Sequence, residues 1–161
     1  MEQNVHKKFN DRQNEVRLFI MDFIVTEGRA FNLDNDKEAV FQALGMEEDE
    51  YREIVSVLQA KDGMVAGANN DVNFIYPVSA LPTNHKVTLA DGRNLTAMCA
   101  IDAMGTAFTF HQDIEINSVS AVSGEPVYVK IVDGKVADYS PKTLHALTFP
   151  LGQLSNWAGS C

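Results

Sequence analysis

The chain is short of cysteine: 161 residues contain two, Cys99 and Cys161. Two are too few for a disulfide scaffold. In a cytosolic chain they read as reduced thiols, metal ligands or catalytic groups. Long apolar runs are missing as well. The best one, "LFIMDFIV", is short and carries Asp22, which makes it a buried helix face and excludes a membrane span. The opening "MEQNVHKKFNDRQNEV" is polar and has no apolar h-region, which excludes a signal peptide and predicts a cytoplasmic protein. With no secretory signal, the N-L-T at Asn94 is not read as a glycosylation site. There is no phosphate-binding glycine loop, no G-x-S-x-G, no C-x-x-C and no H-E-x-x-H. The four histidines, His6, His85, His111 and His145, have no ligand spacing, which argues against zinc. No repeat and no low-complexity segment interrupts the chain.

What is present is ordinary for a globular protein: 45% hydrophobic and 22% charged residues. The net charge of −9 is uneven. Residues 1–76 hold 8 Lys+Arg against 15 Asp+Glu, and residues 77–161 hold 5 against 7. An acidic front half argues against nucleic acid, where phosphate neutralisation supplies most of the affinity.

The front half is patterned for helices. Val16, Phe19, Ile20, Phe23 and Ile24 follow the i, i+3, i+4, i+7, i+8 spacing of one buried stripe, and "EGRAFN" ends it. Asp34 or Asn35 is the expected cap of a second helix carrying Val40, Phe41 and Leu44 and stopped by Gly45. A third helix in "MEEDEYREIVSVLQAK" turns Tyr51, Ile54, Val55 and Leu58 inward and keeps acids in its first turn. "DGMVAGANNDVNFIYPVS" then gives two short strands around a Gly-Asn-Asn-Asp turn. Three helices and a hairpin form a winged-helix pattern, residues 1–76. A metal-responsive DNA regulator is one reading of it, but "EEDEYRE" at the start of the third helix would repel phosphates. A helical cap on the next domain is the other.

Beyond Pro77 the pattern changes to strands. "HKVTL", a turn at "ADG" and "RNLTA" make a hairpin; "DIEINSVSA" and "EPVYVKIV" flank Ser123-Gly124; "DGKVADYS" turns at Asp133-Gly134; "LHALTFP" is a further strand. "TAMCAIDAMG", rich in Ala and Met, favours a helix. The expected fold is α+β, with the helical module packed on a mixed, mainly antiparallel β-sheet domain with short helices, residues 77–161.

Within that helix stands Cys99-Ala100-Ile101-Asp102. At i and i+3 on a helix the thiol and the carboxylate share a face. A cysteine among Ala, Met and Ile is commonly an inert small hydrophobe. The aspartate argues otherwise, because a carboxylate facing a core needs a partner. A neighbouring anion raises a thiol pKa, so the pair makes a poor simple nucleophile. It suits a soft cation bound by sulfur, with the acid moving a proton.

"YPVSALPTNHKVTLADGRNLTAMCAIDAMGTAF" resembles the heart of the organomercurial lyase (alkylmercury lyase) family, with its hairpin followed by C-A-x-D. The similarity continues through "INSVSAVSGEPVYVKI" into "SNWAGSC", where the family places its second active cysteine. The resemblance implies a winged-helix-like N-terminal domain that does not bind DNA. It implies that Cys99 and Cys161 hold mercury and that Asp102 handles the proton at the bound metal. A third family cysteine falls at Ser120 and is not part of the catalytic set. The implied reaction is protonolysis of carbon–mercury bonds to hydrocarbon and Hg(II), with no organic cofactor and external thiols assisting release. Its partner is an organomercurial or other thiophilic small molecule, with a hand-off partner for the metal and neither nucleic acid nor membrane. In the family a further segment follows the second cysteine, whereas this chain ends there. The expectation is therefore a chain cut short, or a selenocysteine codon read as a stop. A non-catalytic relative that binds a soft metal, serving a transporter, is the alternative.

Overall fold

A computed structural model describes residues 8–146, which fall into two compact units meeting in sequence between Ile75 and Tyr76. Four helices and eight strands make up the α+β fold of the described residues, and every strand pairing assigned is antiparallel. None of these helices is long and apolar enough to cross a membrane.

The first unit contains α1 (Asp11–Glu27), α2 (Lys37–Leu44), α3 (Glu48–Ala60) and the hairpin of β1 (Met64–Ala66) and β2 (Val72–Ile75). Helix α1 starts at a full capping box: the Asn10 side chain accepts from the Gln13 N–H at 2.8 Å, and the Gln13 side chain accepts from the Asn10 N–H at 3.0 Å. Gly28 ends it with φ 64°, the left-handed conformation that favours glycine. The buried stripe is Val16, Ile20, Met21, Ile24 and Val25. It is rotated from the expected one, so Phe19 and Phe23 are only half-buried, and Phe23 meets Phe31 edge-on at 5.1 Å.

The residue ahead of α2 is Asp36, not Asp34 or Asn35, and its side chain makes no capping bond. Its carboxylate is engaged elsewhere, accepting from the Arg29 guanidinium at 2.7 and 2.8 Å and from the Asn32 N–H at 2.8 Å. Asn32 organises this turn instead. Its side-chain oxygen accepts from the Asp34 and Asn35 N–H groups, and its amide donates to Asn69 O and Asp71 Oδ1, tying the α1–α2 link to the hairpin turn. Tyr51, Ile54 and Leu58 of α3 are buried as patterned, and the Tyr51 hydroxyl donates to Leu33 O at 3.0 Å.

The second unit contains β3 (Val78–Ser79), β4 (Lys86–Leu89), β5 (Asn94–Ala97), α4 (Ala100–Phe110), β6 (Ile114–Val119), β7 (Pro126–Val132) and β8 (Lys135–Ser140). The strands run in the order β3-β5-β4-β6-β7-β8. One face of this sheet carries Val87, Leu89, Leu95, Ala97, Ile114, Ile116, Val129 and Ile131, all buried, and α4 contributes Ala103, Thr106 and Ala107 to the core. The Asp133-Gly134 turn has φ 50° and 70°, the pair of left-handed residues a two-residue hairpin requires. Where short helices were expected, α4 is the single helix among the described residues of this unit. The strand expected at "LHALTFP" is not formed over 144–146, which have no regular structure; the rest of it lies outside the described residues.

Candidate active site at the start of helix α4

Strand β5 ends at Ala97 and α4 begins at Ala100, so two residues, Met98 and Cys99, make the whole connection. Cys99 is the N-cap of α4, extended at φ −145° and ψ 177°, and its carbonyl accepts the first helical bond from the Ala103 N–H at 2.9 Å. Asp102 is therefore the third residue of the helix proper. The pair was expected one turn apart on a single helix face; it is instead related as cap and third residue. The Cys99 thiol donates to Asp102 Oδ2 at 3.3 Å, and the Cys99 backbone N–H also donates to the carboxylate. The second contact is half of a capping box, with the acid reaching back to the cap. Sulfur does not supply the other half, since the Cys99 side chain makes no capping bond.

Asp102 is 5% exposed, while Cys99 is half-buried. Burial pushes the Asp102 carboxyl up to about 6, against the two hydrogen bonds from Cys99, which favour its charged form. A carboxyl poised there is ionised at neutral pH yet basic enough to take and return a proton.

Among the other residues considered from sequence, Cys161 lies outside the described residues. Ser120 starts the β6–β7 turn, where its hydroxyl accepts from the Val122 and Ser123 N–H groups at 3.3 and 3.2 Å. His85 is half-buried against Ser118, with Nδ1 to Oγ at 2.7 Å, and burial lowers its pKa. His111 closes α4 with φ 52°. Among the described residues, no three His, Cys, Asp or Glu side chains are grouped to hold a metal ion. Sequence reasoning passed over the segment 79–83, whose Thr83 hydroxyl and Ser79 and Leu81 carbonyls turn out to grip the end of β5. Its one signal was serine and threonine flanking a proline ahead of a strand.

The sequence pattern of the MerB family, described as alkylmercury lyase, matches residues 78–161, just over half of the chain. The chain belongs to the alkylmercury lyase family. Among solved structures, the "Crystal structure of the mercury-bound form of MerB2" has the same fold, with a TM-score of 0.66 and 24% identity, covering 84% of this chain. The present chain spans 63% of the length of that one. No curated protein matches.

Proposed function

We propose that this chain is an organomercurial lyase that cleaves carbon–mercury bonds by protonolysis, with Cys99, Cys161 and Asp102 as its working groups. The observation that carries the proposal is the 3.3 Å contact between the Cys99 thiol and a buried carboxyl poised near 6. When R–Hg–X meets Cys99, a sulfur–mercury bond forms and the thiol proton passes to Asp102. Cys161 supplies the second thiolate, and its proton leaves with X as HX. Two thiolates on the soft metal push electron density toward carbon. Asp102 then delivers its proton to that carbon; R–H departs, and Hg(II) remains on two thiolates until external thiols remove it. Two protons leave the two thiols, one ending on carbon and one on X. No organic cofactor takes part. We assign this work to the cytoplasm and read the acidic front module as one that does not bind DNA.

The second reading is a non-catalytic relative that captures a soft metal through the same thiols and passes it on. It needs only the half-buried Cys99 thiol, a soft ligand, and asks nothing of the Asp102 carboxyl. One assay separates the two: incubation with an arylmercurial and excess thiol, with the hydrocarbon measured. Hydrocarbon release supports the lyase. Stoichiometric mercury capture without hydrocarbon overturns it in favour of the binder.

A further inference from the structure

The last residue of β5 is held by a side chain where a strand would ordinarily hold it. Ala97 is fully buried, and its N–H donates to His85 O at 2.9 Å, continuing the β4–β5 ladder. The next rung is not backbone. The Thr83 hydroxyl donates to Ala97 O at 2.6 Å and accepts from the His85 N–H at 3.1 Å. One oxygen thus ties together the two strands that end beside the start of α4. Its neighbour is gripped from the same loop: the Thr96 hydroxyl donates to Ser79 O at 2.8 Å and to Leu81 O at 3.2 Å. The Ser79 hydroxyl fixes that loop in turn, donating to Leu81 O at 2.7 Å and accepting from the Leu81 N–H at 3.1 Å.

We propose that Thr83 is a positioning residue for Cys99, acting through the carbonyl of Ala97. Only Met98 separates Ala97 from Cys99, so freedom at the end of β5 passes to Cys99 with little damping. The thiol reaches Asp102 through one 3.3 Å bond, beside the one from the Cys99 backbone N–H, and both depend on where the chain enters the helix. Buried backbone groups must be paired. If the hydroxyl is lost, the Ala97 carbonyl and the His85 N–H must find water or each other's strand, and either move shifts the entry point. A displacement of ~1 Å in a reacting group costs on the order of 10²-fold in rate. The loss belongs in kcat, because mercury capture by sulfur tolerates displacement better than proton delivery to carbon does.

The inference rests on the lyase reading for its kinetic part only. The test uses the full chain carrying Thr83→Val, with Thr83→Ser as the conservative variant. Two quantities are read: kcat and KM for arylmercurial protonolysis in excess thiol, and the pH profile of Cys99 alkylation, followed on its own peptide by mass spectrometry. Thr83→Val should lower kcat about 10–100-fold with little change in KM, and should alter the Cys99 alkylation profile, while Thr83→Ser restores both. Should Thr83→Val not accumulate folded, Thr83→Ala is read in its place, since it leaves room for a bridging water. An unchanged alkylation profile and an unchanged kcat per folded molecule, with only a lower Tm, would overturn the proposal and leave Thr83 a structural latch. If the wild type releases no hydrocarbon, the lyase reading fails, and the alkylation profile alone decides the role of Thr83.

Discussion

At the scale of single residues, Asp102 is where the proposed mechanism separates binding from chemistry. Asp102→Asn keeps volume and polarity but cannot carry the proton. Mercurial binding should survive it, and hydrocarbon release should fall about 10²–10⁴-fold. The same substitution should change how stability varies with pH. A carboxyl whose folded pKa is about 6, against 3.8 when unfolded, holds its proton more tightly in the folded state. Its neutral form stabilises the fold below pH 4, and that contribution is lost as pH rises through 6, amounting to ~3 kcal/mol at most. Carboxylates held low by their ion-pair partners, such as Asp36 beside Arg29 and Glu115 beside Lys130, act in the opposite direction and at lower pH. Urea unfolding of wild type between pH 4 and 7 should show the decline, and Asp102→Asn should flatten it. If Asp102→Asn instead melts lower at neutral pH with turnover per folded molecule unchanged, the carboxyl serves only to hold the Cys99 cap of α4. The pairing of Cys99 with Asp102 was legible because a carboxylate three residues past a cysteine in an apolar stretch needs a partner. Its geometry was not, because the pattern of Ala and Met does not say where the first helical turn begins.

At the scale of elements, periodicity carried most of the front half. The helices, the Gly28 and Gly45 stops and the β1–β2 hairpin all follow from spacing and turn residues. The cap of α2 was harder to place, since Asp34, Asn35 and Asp36 crowd its start and tertiary partners decide among them. Asp36 is drawn away from capping by Arg29, whereas Asn10 caps α1 in full because Gln13 reciprocates. Asn10→Ala removes the acceptor of that box and should cost about 1 kcal/mol. Thermal melting should record this as a fall of about 2–4 °C, with no effect on mercury binding. A drop much below that range would mean that the α1 start is already frayed in the wild type. The Thr83 clasp belongs to this scale as well. It was not legible, because a hydroxyl that replaces a ladder rung leaves no periodic trace.

At the scale of the whole molecule, the candidate site is split along the chain, with Cys99 and Asp102 at the start of α4 and Cys161 outside the described residues. The proposed role of Cys161 therefore rests on the family resemblance, and chemistry supplies its test. Hg(II) is soft and strongly prefers thiolate to hydroxyl, so a serine at either position leaves a single useful ligand. If both thiols hold the metal, Cys161→Ser should weaken mercurial binding nearly as much as Cys99→Ser. Titration against a competing small thiol measures both variants on one scale and keeps the second ligand from being supplied unnoticed. The competitor concentration matters, because an external thiolate can stand in for the missing cysteine and bring the variant back toward wild type as it rises. That rescue should occur in both variants for capture of mercury. It should not restore hydrocarbon release in Cys99→Ser, where the sulfur that hands its proton to Asp102 is gone. Wild-type affinity in Cys161→Ser, beside a Cys99→Ser variant that takes up no mercury, would show that Cys99 works without its distant partner.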